Sequence, residues 1–212
     1  MRMRKKPNLP RRLECCGDVL ITSPEDFCDR WLERFEDYGK LHIEIGCGKG
    51  RFITETAKTM PDTLFVGIER VPEAMVVAME RTINDGRPNI RYIDTDAVAL
   101  LNIFGSREVG RIYLNFCDPW PKKGHAKRRL TYENFLKDYK VILKPGGEIH
   151  FKTDNVGLFD YSLEQFERSG FELSDITRDL HQAGPNGVMT DYELKFYEQG
   201  VSINRCVAKL KA

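Results

Sequence analysis

The sequence predicts an α/β fold in which a parallel sheet is covered by helices on both faces. From Leu41 onwards, short apolar runs alternate with segments that look helical, and this alternation is typical of a parallel sheet. A glycine-rich turn follows the first apolar run and leads directly into a helix. Chain-breaking residues stand where the scheme requires turns, at Asp85-Gly86, Gly105 and Pro145-Gly146-Gly147.

Seven short apolar runs are the predicted strands. They are LHIEIGC (41–47), TLFVGIE (63–69), NIRYID (89–94), GRIYLNFC (110–117), GEIHFKTD (147–154), FELSDI (171–176) and SINRCVAKL (202–210). Helices are expected over 51–60, 72–85, 97–104, 132–143 and 156–169. The segment HQAGPNGV (181–188) holds two glycines and a proline and is expected to be a mobile loop.

Residues 1–40 are predicted to form a basic arm and one packed helix, ahead of a main domain over residues 41–212. The helix is expected in SPEDFCDRWLERFEDYGK, with Ser23 as its N-cap and Pro24 in its first turn. Phe27, Trp31 and Phe35 recur at i, i+4 and i+8, so one face of this helix should pack on the domain.

The net charge of +1 conceals a segregation of charge along the chain. Residues 1–12 hold six Lys or Arg, residues 122–129 hold five, and neither segment contains an acid. The remaining residues carry 22 basic and 32 acidic side chains, a net charge of −10. Such a distribution is expected of a protein that binds a polyanion, although each run is also compatible with a solvated charged surface.

The composition is that of a soluble globular protein, with 41% hydrophobic and 31% charged residues. No run approaches the roughly 18 apolar residues of a membrane helix. The basic N-terminus lacks the apolar core of a signal peptide, so a cytoplasmic protein is expected. Six cysteines show neither a CxxC pair nor zinc-ligand spacing, and no metal site is expected.

The glycine-rich turn lies in HIEIGCGKGRF, where Gly46, Gly48 and Gly50 stand between a strand and a helix. Glycines allow backbone amides to approach a ligand, and a helix start favours negative charge. The spacing is neither that of dinucleotide-binding proteins nor that of a P-loop. Glu44, inside the strand, is poorly placed for a pyrophosphate and better suited to a ligand that carries an ammonium group.

Acids also end or follow the next three predicted strands, as Glu69, Asp96 and Asp118. Ligands of open α/β sheets bind at this edge, where an acid such as Glu69 accepts hydrogen bonds from ribose hydroxyls. Asp96 is placed to contact an adenine amino group. Four carboxylates together favour a cationic nucleoside over a phosphate ligand.

The segment NFCDPWPKKGHAKRR (115–129) joins Asp118 to a Pro-Trp-Pro turn and then to the second basic run. Two roles are open for Trp120. The ring stacks on an unstacked RNA base, or it packs beneath the turn. The cations that follow are suited to phosphate contacts.

EIGCGKG, Glu69, Asp96 and LKPGGEI resemble the class I S-adenosylmethionine-dependent methyltransferases. Together with YLNFCDPWPKKGHAKRRL, IHFKTDN and TDYELKF, they make the chain resemble the tRNA (guanine-N7-)-methyltransferase family from about Leu41 to about Leu210. The resemblance implies a Rossmann-like fold with a mostly parallel, seven-stranded sheet and an antiparallel last strand. It also implies S-adenosylmethionine as cofactor and tRNA as partner, with a guanine of the variable loop as target.

The resemblance assigns roles to individual residues. Cofactor binding is expected of Glu44, Gly46, Gly48, Gly50, Glu69, Asp96, Ala97 and Asp118. Substrate binding is expected of Lys122, Asp154, Thr190, Asp191, Tyr192 and Glu193. RNA binding is expected of Gly124, His125, Ala126, Lys127, Arg128 and Arg129. For Asp154 and Thr190, capping of a helix or strand is the simpler alternative.

The implied reaction explains the absence of a catalytic base from the motifs. N7 of a neutral guanine has a free lone pair, so no proton has to leave before attack, and the rate can come from positioning and electrostatics. Asp118 is therefore expected to hold the guanine edge or the cofactor ammonium and to stabilise the positive charge that grows on the purine.

Three alternatives compete with this interpretation. The first is a methyltransferase that acts on an exocyclic amine, the second a catalytically inactive RNA-binding module, and the third an NAD-dependent oxidoreductase. The glycine spacing and the lack of a Tyr/Lys or His arrangement disfavour the third. The sequence leaves open whether the protein is a monomer or a homodimer and whether the basic arm binds RNA, is disordered or joins two subunits.

Overall fold

The computed structural model describes residues 8–211, in which seven strands form one sheet. The strands are β1 (Lys40–Ile45), β2 (Thr63–Glu69), β3 (Ile90–Asp94), β4 (Val109–Asn115), β5 (Leu143–Thr153), β6 (Phe171–Thr177) and β7 (Asn204–Leu210). Their order is β3-β2-β1-β4-β5-β7-β6. β7 is antiparallel to both of its neighbours and the other pairs are parallel, which confirms the expected sheet.

The helices of the described residues lie between these strands and before the first. They are α1 (Leu9–Glu14), α2 (Trp31–Arg34), α3 (Arg51–Thr59), α4 (Pro72–Asn84), α5 (Leu100–Ile103), α6 (Glu133–Ile142), α7 (Val156–Arg168) and α8 (Asp191–Glu198). Short 3₁₀ turns cover Gly17–Val19, Pro24–Phe27, Ala97–Ala99 and Lys123–Arg128. The five helices predicted between strands are present, with that at 97–104 split into a 3₁₀ turn and α5. The helix α8 was not predicted. Within residues 8–211, no helix is both long and apolar enough to cross a membrane.

The core consists of two apolar clusters, one on each face of the sheet. The first joins Leu41, Ile43 and Ile45 of β1 to α5, α6 and α7. The second joins the opposite face to α3 and α4. Because side chains alternate along a strand, Glu44 of β1 faces the second cluster. The strand order reverses between β1 and β4, and such a reversal opens a crevice for ligands at the carboxyl ends of the strands.

The single helix predicted after Ser23 is wrong. Pro24–Phe27 is a 3₁₀ turn, and α2 begins only at Trp31. Between them Asp29 adopts a left-handed φ of 60°. The cause is tertiary: the carboxylate of Glu108 accepts hydrogen bonds from the backbone N–H of Asp29 (3.2 Å) and of Trp31 (2.8 Å). It takes the capping role expected of Ser23, whose side chain caps neither element in the described part of the chain.

The aromatic stripe of this segment packs on the core as predicted. Trp31 is fully buried and donates its indole N–H to the carbonyl of Ile103 over 2.9 Å. The rings of Phe27 and Phe35 lie 4.9 and 6.2 Å from that of Trp31. The three aromatic residues still pack together although the predicted helix is divided, because the 3₁₀ turn and α2 direct their apolar side chains to the same cluster.

The first basic run lies mostly outside the described residues, which include only its last two cations, Arg11 and Arg12. Both belong to α1, and Arg12 forms a two-pronged ion pair with Glu80 of α4, with both distances 2.6 Å. Cys16 and Val19 join the second apolar cluster. The segment before β1 therefore packs on the main domain, and the division at residue 40 stays a prediction.

Candidate active site

The turn after β1 has a conformation that favours glycine at three positions. Gly46, Gly48 and Gly50 have φ values of 77°, 57° and 75°, a region that other residues rarely adopt. A side chain at Gly50 would also place its Cβ 2.5 Å from the Cβ of Ala78 on α4. Gly50 therefore lets α3 start close against α4, while Gly46 and Gly48 leave the edge of the turn open.

Glu69, at the end of β2, braces this turn. One oxygen accepts the backbone N–H of Gly48 over 2.9 Å, and the other accepts that of Val71 over 2.9 Å. The carboxylate thus joins the turns that follow β1 and β2. A carboxylate oxygen has more than one acceptor site, so Glu69 can also accept hydrogen bonds from a ligand's hydroxyls.

Glu44 is a buried carboxyl, 2% exposed, on the β1 face that meets α3. Its Oε1 accepts a hydrogen bond from the amide of Asn115 at the end of β4, over 2.9 Å. Burial raises the pKa of Glu44 to about 8, although the Asn115 hydrogen bond and the charge of Lys152 act in the opposite direction. In residues 8–211, neither Glu44 Oε2 nor Asn115 Oδ1 has a hydrogen-bond partner.

Asp96 follows β3 and lies at the rim of the same edge. Its side chain is 42% exposed and accepts a hydrogen bond from Arg70 over 3.1 Å. An ion pair this exposed contributes little, so a ligand can replace it at low cost. Ala97 is buried in the first apolar cluster, which leaves its backbone as the part that it can offer to a ligand.

Asp118 is exposed in a turn whose backbone is strained on both sides. Phe116 and Trp120 have φ values of 53° and 41°, which are costly for residues with side chains. Arg129 holds the turn from outside, because its guanidinium donates to the carbonyls of Pro119 (3.1 Å) and Trp120 (3.0 Å). Such over-determined strain is concentrated at functional sites.

The ring of Trp120 is covered by the basic segment that follows it. The guanidinium of Arg128 lies over the ring at 4.8 Å from its centroid, and His125 meets it edge to face at 5.7 Å. The arrangement corresponds to the second role considered for Trp120, in which the ring packs against its own turn. Stacking on a base would require Arg128 to leave this position.

The cations of the segment fall into two groups. Arg129 is partly buried and stacks on Tyr161 of α7 at 4.3 Å, so its main contacts are internal. Lys122, Lys123, Lys127 and Arg128 are exposed, and none of them pairs with an acid of residues 8–211. The segment thus presents unneutralised charge beside Asp118.

On the substrate side, Asp154 follows β5 and is partly exposed. It is not the N-cap of α7: the side chain of Asn155 accepts the N–H of Leu158 over 2.8 Å. Capping of the helix is thus wrong for Asp154, and capping of the strand stays a prediction. For Thr190 helix capping is confirmed, because Thr190 is the N-cap of α8 and forms a reciprocal capping box with Glu193.

The four residues Thr190–Glu193 differ in what they can reach. Tyr192 is 56% exposed, and Asp191 pairs with Arg81 over 3.3 Å. Glu193 is fully buried, with its carboxylate against Lys152 (2.6 Å) and His181 (3.0 Å). A direct contact between Glu193 and a substrate is therefore incompatible with this conformation, and the side chains of Thr190 and Tyr192 are better placed.

Comparison with known proteins identifies the family. Residues 38–206 match the family model described as a putative methyltransferase. The chain is 47% identical over 209 residues to the tRNA (guanine-N(7)-)-methyltransferase of Geobacillus kaustophilus, covering 98% of this chain and 96% of that protein. It is 44% identical to the enzyme of that name from Enterococcus faecalis, over all of both chains. The chain belongs to the tRNA (guanine-N7-)-methyltransferase family.

Solved structures share the fold of this family member. The 16S rRNA methyltransferase KamB superposes with a TM-score of 0.67 at 14% identity, covering 87% of this chain and 94% of that one. An antibiotic-related methyltransferase superposes with a TM-score of 0.63 at 16% identity over 87% and 94% of the two chains. The class I methyltransferase fold expected from the sequence is confirmed.

The structure adds three residues to those that the family resemblance singled out. Asn115 and Lys152 are polar residues inside apolar strands, and that contrast is the signal that could have found them. His181 begins the glycine-containing loop 181–188, and no local pattern distinguishes it. In residues 8–211, no group of three His, Cys, Asp or Glu side chains is arranged to hold a metal ion.

Proposed function

We propose that this chain transfers the methyl group of S-adenosylmethionine to N7 of a guanine in the variable loop of tRNA. The observation that carries the proposal is the meeting, at one sheet edge, of an acidic crevice after β1–β4 with the exposed cations of residues 122–128. The names of the curated relatives support the reaction and the substrate. The active unit is a monomer or a homodimer, and the proposed location is the cytoplasm.

The crevice fits a cofactor that carries positive charge and N–H donors. Buried acceptors without hydrogen-bond partners are rare in proteins. Within the described residues, Glu44 Oε2 and Asn115 Oδ1 are two such acceptors, and a ligand that donates to both would give each of them a partner. Glu69 is suited to ribose hydroxyls and Asp96 to an adenine amino group. The backbone N–H groups of Gly46, Gly48 and Gly50 donate within the protein, to the carbonyl of Ile68, to Glu69 and to the carbonyl of Cys47. These glycines would therefore serve the cofactor through the shape of the turn. When bound, the cofactor supplies an electrophilic methyl group.

The chemistry requires positioning and a favourable field. The guanine N7 lone pair attacks without prior loss of a proton, and the purine becomes positively charged. Asp118, exposed within the strained turn between Phe116 and Trp120, provides the carboxylate that stabilises this charge or holds the ligand's ammonium group. Oriented charges near a developing charge are among the largest contributions to catalysis.

The remaining residues are proposed to hold the RNA. N7 faces the deep, narrow major groove of helical RNA, so the target guanine must lie in an exposed loop or be extracted. Lys122, Asp154, Thr190, Asp191 and Tyr192 are proposed to surround this nucleotide, and Glu193 to act through its buried contacts.

The segment Gly124–Arg129 is proposed to bind the phosphates. Its exposed members, Lys127 and Arg128, would make these contacts, and Lys123 beside them would add a third. His125 would hold the conformation of the segment through its contact with the ring of Trp120. Arg129 would do so through its hydrogen bond to the backbone carbonyl of Trp120.

A methyl-transfer assay with labelled S-adenosylmethionine tests the proposal. Unmodified tRNA is compared with the same tRNA lacking the variable-loop guanine, and the labelled nucleoside is identified. Label in 7-methylguanosine that disappears with that guanine is the expected result. Label in an exocyclic amine would favour the first alternative. Binding of tRNA without label would favour an inactive RNA-binding module, and either outcome would overturn the proposal.

A further inference from the structure

A buried ion pair joins the end of β5 to the substrate-side helix. Lys152, two residues before Asp154, is 7% exposed, and its Nζ lies 2.6 Å from Oε2 of Glu193 on α8. The same ammonium donates to the carbonyl of Val188 over 3.0 Å. It also lies over the ring of Phe52 on α3, at 4.9 Å. One side chain therefore contacts the helix after the glycine turn, the loop 181–188 and α8.

The second oxygen of Glu193 is also occupied. His181 accepts the backbone N–H of Asn186 at Nδ1 over 3.1 Å, so in this arrangement its proton is on Nε2. Nε2 then donates to Oε1 of Glu193 over 3.0 Å. The other oxygen, Oε2, takes the N–H of Thr190 (3.2 Å) in addition to Lys152. All of these contacts are within the protein.

These contacts determine where the motif Thr190–Glu193 stands. A buried carboxylate that loses a paired cation is strongly unfavourable. If Lys152 were neutral, α8 would have to shift or Glu193 would have to take up a proton. Thr190, whose backbone and side chain both bond to Glu193, would move with it. The position of Thr190 at the start of α8 therefore depends on this pair.

We propose that Lys152 is a positioning residue for tRNA methylation, which acts through Glu193 and His181 to hold Thr190 and Tyr192, at the start of α8, in place for the substrate nucleotide. The inference rests on the proposed function for its substrate. Lys152 is 7% exposed and its ammonium is held by Glu193 and the carbonyl of Val188, so it orients the groups that meet the nucleotide and does not touch the nucleotide itself. The role of Glu193 in the motif is then structural.

The test compares four proteins in steady-state kinetics with tRNA: the wild type, Lys152→Gln, Glu193→Gln and the double variant. A displacement of ~1 Å can cost about 100-fold in rate. Lys152→Gln is therefore expected to lower kcat/KM for tRNA by about 10- to 100-fold. The double variant is expected to be no worse than the more impaired single variant, because both act on one pair.

Matched variants separate positioning from a general effect of charge. Lys152→Arg keeps a cation at the site and is expected to retain most of the activity. Lys209→Gln changes an exposed lysine of β7 at the opposite edge of the sheet and is expected to leave kcat/KM unchanged. Unchanged kcat/KM in Lys152→Gln, or multiplicative losses in the double variant, would overturn the proposal.

Hydrogen–deuterium exchange provides a measurement that does not depend on activity. Exchange in residues 181–198 is expected to accelerate in Lys152→Gln, with little change in β1–β4, and equal exchange in both proteins would also overturn the proposal. If Lys152→Gln does not fold, Glu193→Gln tests the pair from the other side with the same expected loss. A wild type that forms no 7-methylguanosine would refute the proposed function, whereas the exchange result would still decide the role of Lys152.

Discussion

At the scale of single residues, three carboxylates at the sheet edge differ in what they can bind because their surroundings differ. Glu44 is buried with one unpartnered oxygen among the described residues, Glu69 braces two turns, and Asp118 is exposed beside cations. The environment of Glu44 suits a ligand that has hydrogen-bond donors of its own. The environment of Asp118 suits a positive charge that develops only during the reaction.

Replacement of Asp118 by Asn tests the electrostatic role. The shape is kept and the charge removed, so kcat for 7-methylguanosine formation is expected to fall about 100-fold or more. A titration of the variant with S-adenosylmethionine distinguishes the two candidate partners: a higher Kd indicates the ammonium group, an unchanged Kd the guanine. Asp37→Asn, at the opposite edge of the sheet, is the control. Near-normal turnover of Asp118→Asn would contradict the assigned role.

Glu44 predicts a pH dependence of stability. Its pKa is about 8 in the folded protein, against a usual value of 4.5, so between these values the folded state binds more protons than the unfolded state. The free energy of unfolding of the cofactor-free protein should therefore fall, through this group, as the pH rises from about 5 to about 8. Urea denaturation at several pH values measures this slope. The slope of the free energy of unfolding against pH should be smaller in Glu44→Gln than in the wild type. It should be unchanged in Glu164→Gln, which alters an exposed carboxyl of α7. Equal slopes in Glu44→Gln and the wild type would be evidence against a buried, protonated Glu44.

At the scale of elements, distant side chains decide where short helices begin. Glu108 caps the start of α2 from 77 positions away, and Lys152 pairs with the first turn of α8 from 41 positions away. Both helices are too short to be stable alone, since isolated helices under about 12 residues are marginal in water. Their positions therefore depend on burial and on these contacts.

The segment before β1 provides a test at this scale. Trp31→Ala removes a fully buried ring and is expected to reduce the free energy of unfolding by about 3–5 kcal/mol. Trp31→Phe keeps an aromatic ring, loses the hydrogen bond to Ile103 and should cost less. Urea denaturation compares the two. Equal, small losses in both variants would mean that this segment is not part of the cooperative core.

At the scale of the whole molecule, negative charge is concentrated at the carboxyl ends of β1–β4 and positive charge in the segment 122–129. The exposed cations of this segment stand beside an acidic edge, so a polyanion can bind to one surface while a cationic ligand occupies the next. The contacts with phosphates contribute affinity and orientation but carry no sequence information.

The salt dependence of tRNA binding measures this surface. Each lost phosphate contact is expected to lower the slope of log Kd against log salt by about 0.7–0.9. The triple variant Lys123→Gln, Lys127→Gln, Arg128→Gln should therefore bind more weakly, with a slope lower by about 2 to 3. A matched triple variant of Lys137, Arg168 and Lys209, exposed elsewhere, should keep the wild-type slope. The same loss in both variants would indicate an effect of net charge alone.

Three features can be read from the amino-acid sequence alone: the alternation of strands and helices, the apolar stripe at Trp31 and the succession of acids at strand ends. These features depend on residues that are neighbours in the chain or on a fixed period, so they can be read from a linear pattern. The resemblance to the family added two further predictions: that the last strand is antiparallel, and which residues are proposed to bind cofactor and RNA.

What several of those residues can contact follows from the tertiary structure. It divided the helix at Asp29, covered Trp120 with Arg128, and buried Glu193 against Lys152 and His181. The first and last of these arrangements depend on side chains that are 12 to 79 residues apart and meet only when the sheet has formed. Local propensity contains no information about such meetings, because burial and charge pairing outweigh it once the chain is folded.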